Sequence, residues 1–483
     1  MIKTLEGRGF KLETFITSLG GLREAWKYYP PSAETAKSIV SETELNEEAL
    51  EEVKAKIKNI TDLSSYLQKQ REDSSTTDSL KIILGSALML GVSDIHLEHT
   101  SRNKALLRFR IDGILQDISP LSPKMIASIV SRLKLLSKLK LNITDAPQDG
   151  RFTITTKSGP IETRTSIVPA EFGEAAVLRV LNPQVIAMEL SDLGLRKDDE
   201  KIVLQELKRP NGMILVTGPT GAGKTTSIYA FLKKIRTSTK KIITIEDPIE
   251  YHLEGVEQTQ IDPKSGYTFA VGLRSILRQD PDIILVGEIR DLETAQTAIH
   301  AALTGHLVFS TLHTNNAAGA IPRLIDLGVK PSVIGPALAL VVAERLVRRL
   351  CPDCRKEIIP DKASMEKLEK FLGRLPNRVP SRKIKPKAGT GLYLPKLFEA
   401  KGCNKCSGGY KGQIGLFEVL EMREELDALI KKEATEGEIN EVAKKAGMVL
   451  MQEDGVLKAL EGITTLDEVE RATGPIEWPA RNA

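Results

Sequence analysis

Residues 213–232, MILVTGPTGAGKTTSIYAFL, decide how the chain is read. MILVT has the composition of a buried strand, SIYAFL that of a helix, and G-x-x-x-x-G-K-T lies between them. Gly218, Gly221 and Gly223 let the backbone turn so tightly that successive N–H groups face inward, where phosphate oxygens accept from them. The following helix adds the positive end of its dipole. On this reading Gly218, Pro219, Thr220, Gly221, Ala222, Gly223, Lys224, Thr225 and Thr226 bind a nucleotide. Lys224 reaches the β- and γ-phosphates, and the Thr225 hydroxyl holds Mg²⁺. A chance glycine-rich turn is the competing reading, and the flanking strand and helix argue against it.

Outward from this loop, KIITIE, DIILVGE and HLVFSTLH repeat the short apolar pattern between helical stretches across residues 191–350. The alternation predicts an α/β unit, a mostly parallel sheet covered by helices. Ligands of such sheets sit beyond the C-terminal strand ends, so acids there matter. The apolar run Ile283–Val286 ends in Gly287 and Glu288, where a carboxylate contacts Mg²⁺ through water or polarises the attacking water. TIEDPIEYH places Glu246 and Asp247 at another strand end and Glu250 beyond a proline. Three carboxylates this close repel one another unless a cation or basic group stands among them, and Mg·ATP would supply one. A solvated acidic turn is the bland alternative for either cluster taken alone. HLVFSTLHTNNA offers His306 and His313. His313 reads either as a γ-phosphate sensor or as a satisfied surface residue.

The whole chain has 483 residues, more than one hydrophobic core accommodates, so two to four domains are expected. Hydrophobic residues at 41% and charged residues at 27% describe an ordinary globular protein rather than a disordered or fibrous one. A net charge of +4 is too small to make nucleic acid or anionic lipid the main partner. MIKTLEGRGFKLETFITSLGG scatters charges through its apolar positions, so no signal peptide is expected. The longest apolar runs, residues 82–92 and 333–343, fall well short of a membrane span. A cytoplasmic location is therefore expected, and four cysteines in two close pairs then favour metal over disulfides.

Five segments follow. Residues 1–79 are polar and helical, with Leu45, Leu50, Val53 and Ile57 at helical spacing and REDSSTTDS as a linker. Residues 80–190 alternate helices with strands, among them ALLRFRIDGILQDI and RFTITTKSGPIETRTSIVP, as an α+β domain. The α/β core spans 191–350. Residues 351–420 hold the cysteines and a Pro/Lys-rich insertion, and 421–483 are helical. Cys351, Cys354, Cys403 and Cys406 form two C-x-x-C pairs, a spacing shared by metal clamps and redox sites.

GPTGAGKTT, TIEDPIE, LRSILRQDPDIILVGEIRD and TGHLVFSTLHTNNA, in that order, closely resemble the Walker A, aspartate-box, Walker B and histidine-box motifs of the secretion ATPase superfamily. The resemblance extends through SDIHLE, RFRIDG and QDGRF upstream and to the cysteines downstream, over roughly residues 80 to 460. It implies a RecA-like P-loop NTPase core, a smaller PAS-like α+β domain before it and a zinc-binding module after it. Secretion and pilus-extension ATPases carry the doubled C-x-x-C module, whereas retraction and conjugative relatives lack it. Four thiolates suit one structural tetrahedral Zn²⁺, with four free thiols as the alternative.

The resemblance also implies roles for arginines. Arg164 and Arg179 match N-terminal-domain residues presented to nucleotide, Arg274 and Arg278 match residues near the Walker B strand, and Arg151 is a weaker candidate. Supplied across a subunit boundary, such guanidinium groups make hydrolysis depend on assembly. For hydrolysis the candidates are Glu250 as general base and Glu288 as Walker B acid, with their exchange left open. The family implies a homo-hexamer at the cytoplasmic face of the inner membrane, powered by Mg·ATP. Its partner there is a membrane platform protein, with a docking protein in addition. The region before Leu80 carries no clear copy of the larger docking domain of many members. A DNA-translocating or conjugative ATPase and a non-hydrolysing scaffold are the competing functions, and no nucleic-acid partner is expected.

Overall fold

A computed structural model describes residue 18 and residues 42–44, 47–57, 59–69, 75–156, 159–181, 187–379 and 396–478. Most of the first 41 residues and residues 380–395 of the Pro/Lys-rich insertion lie outside the described residues. Among the described residues no helix is long and apolar enough to cross a membrane.

The N-terminal unit is a seven-stranded sheet in the order β1-β5-β6-β7-β2-β3-β4. Its strands are β1 (Glu42–Glu44), β2 (Val92–Ser101), β3 (Lys104–Ile111), β4 (Ile114–Leu121), β5 (Gln148–Thr156), β6 (Gly159–Ala170) and β7 (Gly173–Val180). Period-two burial along β3 and β6 shows why these segments are strands: Leu107, Phe109 and Ile167 face one core while alternate residues face outward. That core also receives the helices Thr76–Met89 and Pro123–Leu136. Asp112 and Gly113 close the β3–β4 hairpin with φ of 49° and 80°, the left-handed pair a two-residue turn requires.

Two expectations for the first segment need correction. Glu42–Glu44, read as helical, pairs in parallel with Thr153–Thr155, so the open edge of β5 overrides local helix propensity. The end of the expected linker is helix instead: Ser75 caps Thr76–Met89 by accepting from the Asp78 N–H. Leu80, Ile83 and Leu84 then bury one face of that helix, which a solvated linker could not do.

The second sheet has the order β10-β9-β11-β12-β8-β13-β16. It comprises β8 (Gly212–Thr217), β9 (Ile242–Glu246), β10 (Glu257–Gln260), β11 (Ile283–Val286), β12 (Leu307–Leu312), β13 (Leu338–Leu350) and β16 (Tyr410–Glu421). All pairings are parallel except β13 with β16. Both faces are covered, so Met213 and Leu215 enter one core while Ile214 and Val216 enter the other. The C-terminal ends of β8, β9, β11 and β12 therefore line one edge of the sheet, where the candidate residues lie.

A third, two-stranded sheet pairs β14 (Arg355–Ile358) with β15 (Leu397–Ala400). β16, read from sequence as part of the cysteine segment 351–420, belongs to the nucleotide sheet. Long-range pairing with β13, invisible in local pattern, decides this. The cysteine module is thus an excursion between two neighbouring antiparallel strands.

Candidate functional site

β8 delivers the loop, and the helix Lys224–Ile235 leaves it. Gly218 has φ of 150°, and a Cβ there would lie 2.5 Å from the Glu344 carbonyl oxygen, so only glycine fits. Gly223 begins the helix at φ 103°. The Lys224 ammonium donates to the Gly218 and Pro219 carbonyls at 2.8 and 2.9 Å, arched over the loop. Burial lowers its pKa, and the carboxylates of Glu344 and Glu288 act in the opposite sense.

Glu288, just past β11, faces this lysine. Arg290 Nη2 reaches Glu288 Oε1 at 2.5 Å, and His313 Nε2 lies 3.7 Å from Glu288 Oε2. The His313 pKa is lowered, first by partial burial and then by Lys224, while Glu288 opposes both. Its imidazole is therefore neutral at neutral pH and able to donate one hydrogen bond without carrying charge. Lys224, Glu288 and His313 thus converge from three strand ends. His306 belongs at the opposite end of β12, its ring bound to the Ala301 carbonyl at 3.1 Å.

The acidic stretch after β9 does not act as one cluster awaiting a cation. Glu246 is buried and accepts from Tyr229 Oη at 2.5 Å, Thr244 Oγ1 at 2.6 Å and Gln258 Nε2 at 3.1 Å. Asp247 faces Arg290 at 3.5 Å, and Glu250 pairs with Arg164 Nη1 at 3.0 Å. Each carboxylate has its own partner, so the repulsion expected from sequence is already relieved.

Arg164 arrives from the N-terminal sheet and also donates to the Ile249 carbonyl at 2.8 Å. In the register of that sheet Arg151, Arg164, Arg179 and Asp94 stand opposite one another across β5, β6, β7 and β2. Arg179 Nε binds Asp94 Oδ1 at 3.0 Å. This row lines a cleft of about 530 Å³ that Pro248 and Gln260 also line. Arg274 and Arg278 are not brought there within one chain: Arg274 pairs with Glu293, and Arg278 donates to the Arg274 carbonyl at 3.0 Å.

Three residues at this edge escaped the sequence reading. Arg290 was legible as the only cation in GEIRD, two positions after Glu288. Glu344 was legible as an acid inside the apolar run LALVVAERL. Tyr229, inside an unremarkable helix, left no signal.

The cysteines meet because Cys351 follows β13 while Cys403 and Cys406 precede its partner β16. All four Sγ atoms lie within 4.8 Å of one another, at 4.0 Å for Cys351–Cys403, 3.7 Å for Cys354–Cys406 and 3.6 Å for Cys403–Cys406. A disulfide would need about 2.0 Å. Zn–S bonds of about 2.3 Å in a tetrahedron place sulfurs about 3.8 Å apart, which these distances match. The Cys403 N–H donates to Cys406 Sγ at 3.3 Å, and a backbone N–H aimed at sulfur eases the charge of a thiolate ligand. The donor set therefore fits a structural Zn²⁺.

Comparison with known proteins agrees. Residues 69–471 match the family described as "Type II/IV secretion system protein". Type II secretion system protein E of Pseudomonas aeruginosa is 42% identical over 408 residues, covering 84% of this chain and 77% of that protein. Type IV pilus assembly ATPase PilB of Acinetobacter baylyi is 39% identical over 407 residues, covering 84% and 67%. The pilus retraction motor PilT, solved with bound ADP, superposes with a TM-score of 0.53 at 28% identity, covering 82% and 96% of the two chains. With its phosphate loop, strand-end acids and four-cysteine module in one architecture, the chain belongs to the type II/IV secretion system protein family.

Proposed function

We propose that this ATPase is the motor of a type II secretion or type IV pilus assembly machine, driving pseudopilin or pilin polymerisation as a homo-hexamer at the cytoplasmic face of the inner membrane. Relatives named for those two machines support the assignment. The single observation that carries the chemistry is the convergence of Lys224, Glu288 and His313 beside a glycine loop that tolerates no Cβ at Gly218.

In this reading the loop N–H groups and Lys224 hold the triphosphate, and Thr225 and Glu288 would hold Mg²⁺, which would supply positive charge beside the phosphates. Glu250 orients or deprotonates the attacking water, with Glu288 as the other candidate for that task. Neutral His313 donates to the γ-phosphate. Arg164 and Arg179 stabilise charge spread over the transferred group, and the cleft they line between the two sheets gives the nucleotide a means to govern the angle between them. Arg274 and Arg278, exposed within one chain, serve a neighbouring protomer in the ring. Cys351, Cys354, Cys403 and Cys406 would hold Zn²⁺, which would fasten the module that carries β14 and β15. An inner-membrane platform protein receives the motion, and a docking protein assists recruitment.

Phosphate release from the purified full chain with Mg·ATP tests the reading. Lys224→Ala lowers turnover by at least about 100-fold. Glu288→Gln still binds nucleotide while turnover is lost. Full turnover by either variant would refute the site.

A further inference from the structure

Glu344 lies on β13 directly beneath the phosphate loop, and hydrolysis as described above makes no use of it. Its side chain is buried. Oε2 accepts from Ser227 Oγ at 2.7 Å, and a Cβ on Gly223 would collide with Oε1. Strand and loop therefore touch at both Gly218 and Gly223.

Two cations face the carboxyl, Lys224 from the loop helix and Lys458 from the helix Met451–Leu460. Lys458 is committed to Asp454 Oδ2 and the Gly415 carbonyl, each at 2.6 Å, and Lys224 to its own loop carbonyls. Phe417, opposite Glu344 on β16, and Thr217, opposite the preceding Ala343 on β8, carry no charge. Glu246, buried on β9 with three strands between it and β13, accepts from three side chains, whereas among the described residues only the Ser227 hydroxyl is seen to donate to Glu344. A buried carboxylate so sparsely compensated favours its neutral form. Burial pushes its pKa up to about 8, against Ser227 and the two lysines.

We propose that Glu344 is a proton-linked positioning residue of the phosphate loop: neutral, it leaves Lys224 to the nucleotide, and ionised, it competes with the phosphates for that ammonium. The proposal rests on the nucleotide site assigned above. Bound phosphate adds negative charge nearby and holds the carboxyl proton more tightly, so nucleotide and proton bind together. Below about pH 8 free and bound forms both keep the proton, and affinity does not depend on this group. Above it the free loop loses the proton first, and affinity falls by up to about tenfold per pH unit.

Calorimetric titration of the full chain with Mg·ADP from about pH 7 to pH 9.5, wild type against Glu344→Gln, tests this. Loss of the Lys224 proton at high pH weakens both proteins, so the readout is the ratio of their Kd values, wild type over variant. That ratio is expected to grow about tenfold across the range. A constant ratio overturns the proposal. Should the variant fail to fold, wild-type titrations in two buffers of different ionisation enthalpy report proton uptake, expected to rise through about pH 8 towards one proton per nucleotide. Absence of uptake there overturns it equally. Wild-type protein that binds no Mg·ADP at any pH defeats the nucleotide site itself, and this proposal with it.

Discussion

Glu246 and Glu288 stand at neighbouring strand ends, yet their surroundings assign them opposite work. Tyr229, Thr244 and Gln258 surround Glu246 with donors in a buried site, so it ties the loop helix to β9. Tyr229→Phe removes one donor and leaves a buried carboxylate oxygen without it, a loss of about 1–3 kcal/mol. Urea unfolding measures this, and unchanged stability would place the Tyr229 hydroxyl outside the fold's energetics. Glu288 instead meets the exposed side chains of Arg290 and His313, which a metal ion could displace without opening the core. Its replacement by Gln is therefore read in turnover rather than in unfolding.

At the scale of elements, β13 and β16 do two things at once. Their pairing completes the nucleotide sheet, and their ends bring the cysteine pairs together. Metal analysis is expected to find about one Zn per chain, and Cys403→Ser is expected to abolish it and lower Tm by several degrees. A metal-free protein of undiminished Tm would contradict the zinc assignment. Further along, the helix Leu466–Thr473 is fastened to β13 through Glu468, which accepts from the Arg348 guanidinium at 2.6 Å and from Arg471 at 2.8 Å. Burial raises the Glu468 pKa, but hydrogen bonds from Arg471 and Arg348 outweigh it and bring it down to about 2. A carboxylate depressed in the folded state contributes stability above its ordinary pKa of 4.5 and loses it as pH falls towards about 2. Thermal melts over that interval are expected to show a steeper acid decline for wild type than for Glu468→Gln. Parallel declines would remove Glu468 from the acid response.

At the scale of the whole molecule, polar contacts among the described residues join the N-terminal sheet to the rest at the β3–β4 hairpin and at Arg164. The β3–β4 hairpin reaches the start of β16, where the Gly412 N–H donates to Asp112 Oδ2 at 2.9 Å, and the end of the cysteine module, where Gln116 bonds Ser407 at the same distance. Arg164 reaches the nucleotide edge through Glu250 and Ile249. Arg164→Ala is expected to lower kcat by at least about tenfold while the loop still binds Mg·ADP, since the arginine acts on charge that develops during transfer. Loss of ADP binding without loss of kcat would reverse that assignment.

What the residues alone determined was local. Glycine spacing, strand-sized apolar runs and acids at their ends made the phosphate loop and the α/β core legible, because each depends on a few adjacent residues. The doubled C-x-x-C spacing raised the metal reading in the same way. Tertiary structure decided which strand neighbours which, and with it that β16 completes the nucleotide sheet and that β1 is a strand at all. It also decided that Glu246 is sealed under Tyr229, that Arg290 guards Glu288 and that Glu344 lies beneath the loop. Which strand pairs with which, and which side chain covers a given acid, are set by segments that packing brings together from far apart in the chain, so adjacent residues alone do not fix them.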